Sequence, residues 1–213
     1  MANTTNSPYL EDSTSIAAME QRSQVTKILI AGSGAVGKTT LVRVMKEGKS
    51  LESSNSPLEY SRTPFIEIET IGVENIGGTG SKGIFLLVDV AGQLDLPLHA
   101  LRNLSRLALG GVELVILVFS AENLQSLLDL KNWISIIKTQ YQERPGKSLQ
   151  FLLLLNKCDL DRCVDHHLVA GLMEAEPLIA GYLELSCKSG EGIKELQSWL
   201  VANASSKRIR RIQ

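Results

Sequence analysis

The sequence lacks the features that would assign it to a membrane, to an oxidising compartment or to a nucleic-acid surface. Its longest apolar runs, residues 114–119 and 151–155, are far shorter than the roughly 20 residues that cross a bilayer. Its formal net charge of −1 provides no overall attraction to nucleic acid. The 3 cysteines have no C-x-x-C spacing, and their odd number favours reduced thiols in the cytoplasm.

The two ends of the sequence also lack targeting patterns. The first residues do not form a basic stretch followed by an apolar one, Met-Ala-Asn is not a myristoylation site, and Arg-Ile-Gln contains no prenylation cysteine. We therefore expect a cytoplasmic protein with no transmembrane segment, no lipid anchor and at most weak peripheral membrane contact. Residues 1–22 predict a flexible tail, with a surface-docked extension as the alternative, and residues 205–213 predict a basic tail.

Short apolar segments alternate with segments of helical periodicity between these tails, over residues 23–204. Strands are expected at residues 25–31, 65–73, 84–90, 112–120, 149–156 and 182–186, and helices at residues 40–47, 94–109, 126–141, 164–175 and 192–204. The central strands are apolar throughout, which is typical of a parallel sheet covered on both faces. The pattern predicts an α/β fold with a mostly parallel six-stranded sheet. A hairpin over residues 65–90, with a glycine-rich connection at 77–83, would add one antiparallel edge strand.

A glycine-rich segment follows the first predicted strand and precedes the first predicted helix. Its sequence, GSGAVGKT, fits the phosphate-loop pattern G-x-x-x-x-G-K-[ST]. Glycines let successive N–H groups point at phosphate oxygens, and the helix N-terminus adds partial positive charge. Lys38 would reach the β- and γ-phosphates, and Thr39 would give a hydroxyl to Mg²⁺. The segment predicts the three-layer sandwich of P-loop NTPases, with phosphates held by Gly32, Ser33, Gly34, Ala35, Val36, Gly37, Lys38, Thr39 and Thr40.

A second motif, Asn156-Lys157-Cys158-Asp159, follows a predicted buried strand, where open α/β sheets place ligand-binding loops. The Asp159 carboxylate can accept hydrogen bonds from guanine N1–H and from the 2-amino group. Adenine offers neither donor, so it would leave the charged acceptor unpaired. The Lys157 stem can lie over the base, and Asn156 can link this loop to the phosphate loop.

The segment Ser186-Cys187-Lys188 follows the last predicted strand. It can present a backbone N–H to guanine O6, and the small Cys187 side chain allows close approach. By itself the segment would be an ordinary strand-to-helix turn with serine caps. Together with the other motifs, it favours a guanine site.

The ordered motifs resemble those of the Ras-like small GTPases over roughly residues 25–204. Four segments carry the resemblance: GSGAVGKT, DVAGQ at residues 89–93, NKCD, and SCKSG at residues 186–190. The style is nearest to Rab-, Ras- and Arf-type members, and a prokaryotic or archaeal relative stays open. The resemblance implies that Asp89 holds Mg²⁺ through a water, that the Gly92 N–H senses the γ-phosphate, and that Gln93 orients the attacking water.

The resemblance further implies a switch that binds GTP or GDP with Mg²⁺ and hydrolyses GTP. Because no arginine can be assigned as a finger, hydrolysis should be slow without a partner. The expected partners are effectors, GTPase-activating proteins and nucleotide-exchange proteins, with no nucleic acid. A binding module that uses nucleotide structurally and a P-loop kinase or ATPase remain as alternatives.

The threonine of the first switch, which binds Mg²⁺ and the γ-phosphate, has two candidates. Thr70 lies in a Rab-like TIGV segment, but a full strand does not fit between it and Asp89 once the glycine-rich turn is subtracted. Thr63 precedes the alternating strand and is favoured as a catalytic and metal-binding residue. Tyr60 would close over the phosphates, and residues 49–58 would form an insertion.

Overall fold

The computed structural model describes residues 24–54, 66–76, 81–92, 108–141 and 149–205. Its six strands are β1 (Gln24–Ala31), β2 (Ile66–Ile76), β3 (Ser81–Val90), β4 (Val112–Ser120), β5 (Gln150–Asn156) and β6 (Ile179–Glu184). They form one sheet in the order β2-β3-β1-β4-β5-β6. Strand β2 runs antiparallel to β3 at one edge, and the other neighbouring pairs are parallel. The predicted sheet is confirmed.

Strand β4 shows why the sheet is covered on both faces. All 9 of its residues are buried, and alternate side chains of a strand point to opposite faces. Val115 and Leu117 therefore join one apolar cluster, whereas Ile116 and Val118 join another. Such a strand requires apolar helices on both sides.

The helices α1 (Lys38–Glu47), α2 (Leu124–Leu128), α3 (Leu130–Gln140), α4 (His166–Ala175) and α5 (Ile193–Ser205) supply this cover. Trp133 of α3 and Val169 of α4 belong to the first cluster. Leu41 of α1 and Leu196 of α5 belong to the second. The described chain is thus a three-layer α/β sandwich, and none of its helices is long and apolar enough to cross a membrane.

The helix predicted at residues 126–141 is in fact two helices that meet at Asp129. The Asn123 side chain accepts a hydrogen bond from the Ser126 N–H and starts the short helix α2 two residues early. Asp129 itself has helical backbone angles, so α3 continues at once. The junction places the Asp129 carboxylate close to the phosphate loop.

Two strands also begin earlier than predicted. Strand β3 begins at Ser81, since Gly83 pairs with Val73 and Ser81 with Ile76. The predicted connection at 77–83 was therefore too long. Strand β6 begins where Ile179 pairs with Phe151. Most of the predicted helix 94–109, the tails 1–22 and 206–213, and residues 55–65 lie outside the described residues.

Candidate nucleotide-binding site

The predicted motifs come together at the carboxyl edge of the sheet. The phosphate loop follows β1, Asp89 lies near the end of β3, Asn156 ends β5, and Ser186 follows β6 shortly after its end. These strands are parallel, so their carboxyl ends meet at the same edge, where open α/β sheets bind ligands.

The phosphate loop folds around the ammonium group of Lys38. Its Nζ donates to the carbonyl oxygens of Gly32 and Ser33, at 2.9 Å each. The side chain is buried, and this burial lowers its pKa to about 8 despite the opposing attraction of Asp89. A negatively charged phosphate beside this buried side chain would favour the protonated form of Lys38.

Gly37, at the end of the loop, lies against the second motif. Its φ of 95° is in the left-handed region, and a Cβ there would lie 2.3 Å from Nδ2 of Asn156. Only glycine meets both requirements. Helix α1 begins at the next residue, Lys38.

Thr39 and Asp89 bring two oxygen ligands together at the start of α1. The Thr39 hydroxyl donates to Oδ2 of Asp89 at 2.5 Å, and the Asp89 residue is only 1% exposed. Hydroxyl and carboxylate oxygens are ligands that Mg²⁺ prefers. The donor set therefore fits a magnesium ion beside the phosphate loop.

Gly92 lies where the chain leaves β3 and contacts the phosphate loop. A Cβ at this position would be 2.5 Å from the Gly34 nitrogen and 2.6 Å from Nζ of Lys38. Its backbone is therefore packed against the phosphate loop and the Lys38 side chain. Gln93, Thr63 and Tyr60 lie outside the described residues.

Thr70, the alternative switch threonine, lies within strand β2. It is paired with Leu86 in the antiparallel ladder. This residue therefore belongs to the body of the edge strand and not to a loop before it.

The Asn156 side chain joins three segments of the site. Its Nδ2 donates to the Val36 carbonyl oxygen at 2.9 Å, and its Oδ1 accepts from the Cys187 N–H at 3.3 Å. Burial raises the pKa of the Cys187 thiol to about 12, although the Asn156 hydrogen bond opposes it and Asp159 adds to it. The thiol is therefore neutral, small and able to lie close to a neutral base.

Asp159 is held by the loop that follows β6. The Ser186 hydroxyl donates to its Oδ1 at 2.5 Å, and Nζ of Lys188 lies 3.7 Å from its Oδ2. The Ser186 oxygen also accepts from the N–H groups of Lys188 and Ser189. The carboxylate is oriented while remaining reachable, as its side chain is 20% exposed.

Two further sets of contacts have no signature in the sequence, and they hold the loop after β5, which we call the base loop, and the loop after β6. Lys157, whose φ of 65° is left-handed, pairs its Nζ with Glu122 at 2.5 Å. The chain after α1 docks on the loop after β6, where the Leu51 N–H donates to the Cys187 oxygen and the Glu52 N–H to the Lys188 oxygen, both at 3.1 Å. Only the folded chain brings these segments together.

The fold and the site define a P-loop nucleotide-binding protein of the α/β class. A model of the Ras family matches residues 27–206, and the chain belongs to this family. It is therefore a GTP-binding protein and a GTPase.

Curated relatives agree with this assignment. Ras-related protein RabJ of Dictyostelium discoideum is 27% identical over 90% of this chain and 69% of its own length. Ras-related protein Rab-21 of Geodia cydonium is 32% identical over 80% of this chain and 66% of its own. Ras-related protein Rab-7L1 of Homo sapiens is 24% identical over 86% and 84%.

Proposed function

We propose that the chain is a molecular switch that binds GTP and GDP with Mg²⁺ and hydrolyses GTP slowly until a partner accelerates it. The observation that carries the proposal is the convergence of the Lys38 ammonium, the Thr39 hydroxyl and the Asp89 carboxylate at the start of α1. Phosphoryl transfer depends on positioning and on charge neutralisation, which these three groups can supply.

Nucleotide binding divides between two ends of the site. The N–H groups of residues 32–40 would face the phosphates, and the Asp159 carboxylate would accept two hydrogen bonds from guanine. Lys157 would cover the base, while residues 186–188 would line its O6 edge. The Asn156 amide contacts the loops proposed for both ends, which supports a site in which the protein holds these loops at a set separation.

Hydrolysis would use groups around the terminal phosphate. Lys38 would stabilise its charge, and the Gly92 N–H would bind one of its oxygens. Gln93 would orient the attacking water, because a side-chain amide can donate and accept at once. Bound Mg²⁺, held by Thr39 and Asp89, would neutralise charge on the phosphate oxygens.

The first switch would depend on the residues before β2. Thr63 would join the magnesium ligands in the GTP state, and Tyr60 would close over the phosphates. Effectors and GTPase-activating proteins would recognise this closed state, and exchange proteins would open it. In this proposal residues 23–204 form the GTPase domain, with a flexible tail at 1–22 and a basic tail at 205–213, and the protein works in the cytoplasm.

The test is the nucleotide retained by the purified full chain, followed by single-turnover hydrolysis of GTP with Mg²⁺ and with EDTA. We expect bound GDP or GTP, slow turnover that requires Mg²⁺, and no turnover in Gln93→Leu. A leucine of similar size removes both hydrogen-bonding groups, so this variant should still bind nucleotide.

Three other results would contradict the proposal. Turnover equal in the parent chain and in Gln93→Leu would favour a module that binds nucleotide without using it. Equal competition by ATP and GTP would favour a P-loop kinase or ATPase. Turnover unchanged in EDTA would remove Mg²⁺ from the mechanism.

A further inference from the structure

Asp129 lies where α2 meets α3, outside all of the sequence motifs, and its carboxylate contacts the phosphate loop. Its Oδ2 accepts the Ser33 hydroxyl proton at 2.7 Å, and its Oδ1 accepts from Nε2 of Gln125 at 2.8 Å. Both oxygens are thus engaged, which fixes the plane of the carboxylate. A hydrogen bond to an ionised acceptor is stronger than one between neutral groups.

The position of Asp129 is in turn fixed by the core. Its N–H donates to the Gln125 carbonyl oxygen at 2.9 Å, and its own carbonyl oxygen accepts from the Trp133 N–H at 3.2 Å. The neighbouring Leu130 is 0% exposed and Trp133 is 6% exposed. The carboxylate therefore connects the phosphate loop to a packed part of the molecule.

Ser33 lies beside the groups proposed for the terminal phosphate. Its carbonyl oxygen accepts from Nζ of Lys38 at 2.9 Å. Its carbonyl carbon, in the peptide that joins it to Gly34, lies 2.5 Å from the place of a Cβ on Gly92. The base end of the loop is held separately, through Val36 and Asn156. The orientation of the Ser33–Gly34 peptide should therefore affect binding of the γ-phosphate more than binding of the base.

We propose that Asp129 is a positioning residue that acts through the Ser33 hydroxyl to hold the Ser33–Gly34 peptide in the orientation that receives the γ-phosphate. This inference rests on the proposed function, since it needs a bound triphosphate. If it is correct, the junction of α2 and α3 helps the protein to distinguish GTP from GDP. In this arrangement the Ser33 hydroxyl donates its hydrogen bond to Asp129 and not to a phosphate oxygen.

The experiment measures dissociation of a non-hydrolysable GTP analogue and of GDP from the full chain with Mg²⁺, together with single-turnover hydrolysis. Ser33→Ala and Asp129→Ala remove the two sides of one hydrogen bond. We expect each to speed release of the GTP analogue by about three- to tenfold, less than the full contribution of a hydrogen bond to an ionised acceptor, because the lost bond acts on the phosphate only through the loop. GDP release should change by less than about twofold, because the base and the other phosphates keep their contacts.

Three further variants separate positioning from a general effect on folding. The double variant should be no worse than either single one, since both remove the same bond. Asp129→Asn keeps an acceptor oxygen and should recover most of the GTP-analogue retention. Glu174→Gln removes an exposed carboxylate of α4 and should change neither rate.

Each alternative result is decisive. GTP-analogue release unchanged in Ser33→Ala and Asp129→Ala, in a chain that hydrolyses GTP, would overturn this inference and leave the proposed function standing. Equal acceleration for GDP and the GTP analogue would show a structural role and would also overturn it. Failure of the parent chain to hydrolyse GTP would overturn the proposed function itself.

Discussion

At the scale of single residues, the fold changes the chemistry of Lys38 directly. Its ammonium is surrounded by backbone carbonyl oxygens, and burial lowers its pKa to about 8. A phosphate favours the protonated lysine, so binding should raise this pKa again. Affinity for nucleotide is consequently linked to pH.

We predict that GTP affinity falls as pH rises from 8 to 9. Above a pKa of about 8 the empty site must take up a proton to bind phosphate, and such linkage costs at most about tenfold in affinity per pH unit. Equilibrium titration with a fluorescent GTP analogue measures the slope. Below pH 8 lysine is already protonated, so the affinity should level off there.

Lys38→Arg is the matched control for this prediction. Arginine keeps its proton throughout this range, so its affinity, even if lower, should lack the lysine-dependent part of the slope. Any titration of the guanine base would affect the parent chain and Lys38→Arg equally. Identical slopes in the parent chain and in Lys38→Arg would show that the Lys38 proton is not taken up on binding.

At the scale of elements, the end of β6 is connected to the loop that carries the guanine motif. The Glu184 carboxylate accepts from the Tyr182 hydroxyl at 2.6 Å and from Arg162 at 2.5 Å. Burial acts to raise the pKa of Glu184, but these hydrogen bonds outweigh it and hold the pKa below its ordinary value. The carboxylate thus keeps the loop against the strand near neutral pH. The stability that the ionised Glu184 carboxylate gives to this contact is lost only as the pH falls through its lowered pKa.

We predict that Glu184→Gln speeds release of GDP and of a GTP analogue equally, by about two- to fivefold, because a partly exposed ion pair contributes up to about 1 kcal/mol. The equal effect follows from the position of the loop at the base end, which is common to both nucleotides. Stopped-flow release in low and high salt is the measurement. The acceleration should shrink at high salt as the ion pair is screened.

Lys138→Gln provides the control for this element. It removes another partly exposed ion pair, which joins Lys138 of α3 to Glu176, the residue that follows α4, at 2.9 Å. We expect no change in nucleotide release from it. If Lys138→Gln accelerated nucleotide release as much as Glu184→Gln, the role given to β6 would be wrong. The role would also be contradicted if Glu184→Gln accelerated release of the GTP analogue but not of GDP.

At the scale of the whole molecule, the nucleotide site joins segments that are far apart in sequence. The Asn156 amide connects the phosphate loop after β1 to the loops after β5 and β6. The chain after α1 adds two further backbone hydrogen bonds to the loop after β6. A ligand that binds across these segments should stabilise the entire fold.

We predict that GDP with Mg²⁺ raises the melting temperature of the full chain substantially. A ligand at a thousand times its Kd adds about 4 kcal/mol to the free energy of unfolding. In a domain of this size, each kcal/mol raises Tm by about 2–4 °C. Differential scanning fluorimetry should therefore show a rise of about 8–16 °C, smaller when EDTA replaces Mg²⁺.

ATP with Mg²⁺ at the same concentration is the matched control. Because the Asp159 carboxylate would meet no donor on adenine, ATP should leave Tm nearly unchanged. An equal rise with ATP would mean that the phosphates alone provide the stabilisation and that the base loop does not discriminate.

The sequence predicted most of the sheet because apolar runs such as residues 114–119 are continuous and the segments between them contain turn residues. It did not predict the start of α2 at Leu124, which depends on the side chain of Asn123 as a cap. Nor did it place the start of β3, because pairing across the hairpin extends the strand into a glycine-rich segment. Both differences arise from hydrogen bonds that periodicity does not report.

By itself, the sequence determined the fold class, the phosphate loop and the guanine motif, because each depends on residues that are close together in the chain. Only the tertiary structure decided that Ser33 meets Asp129 and that Lys157 meets Glu122. It also decided that the chain after α1 docks beside Cys187. The physical reason is that such contacts join segments from different strand ends, and their geometry is fixed only when the sheet aligns those ends at one edge.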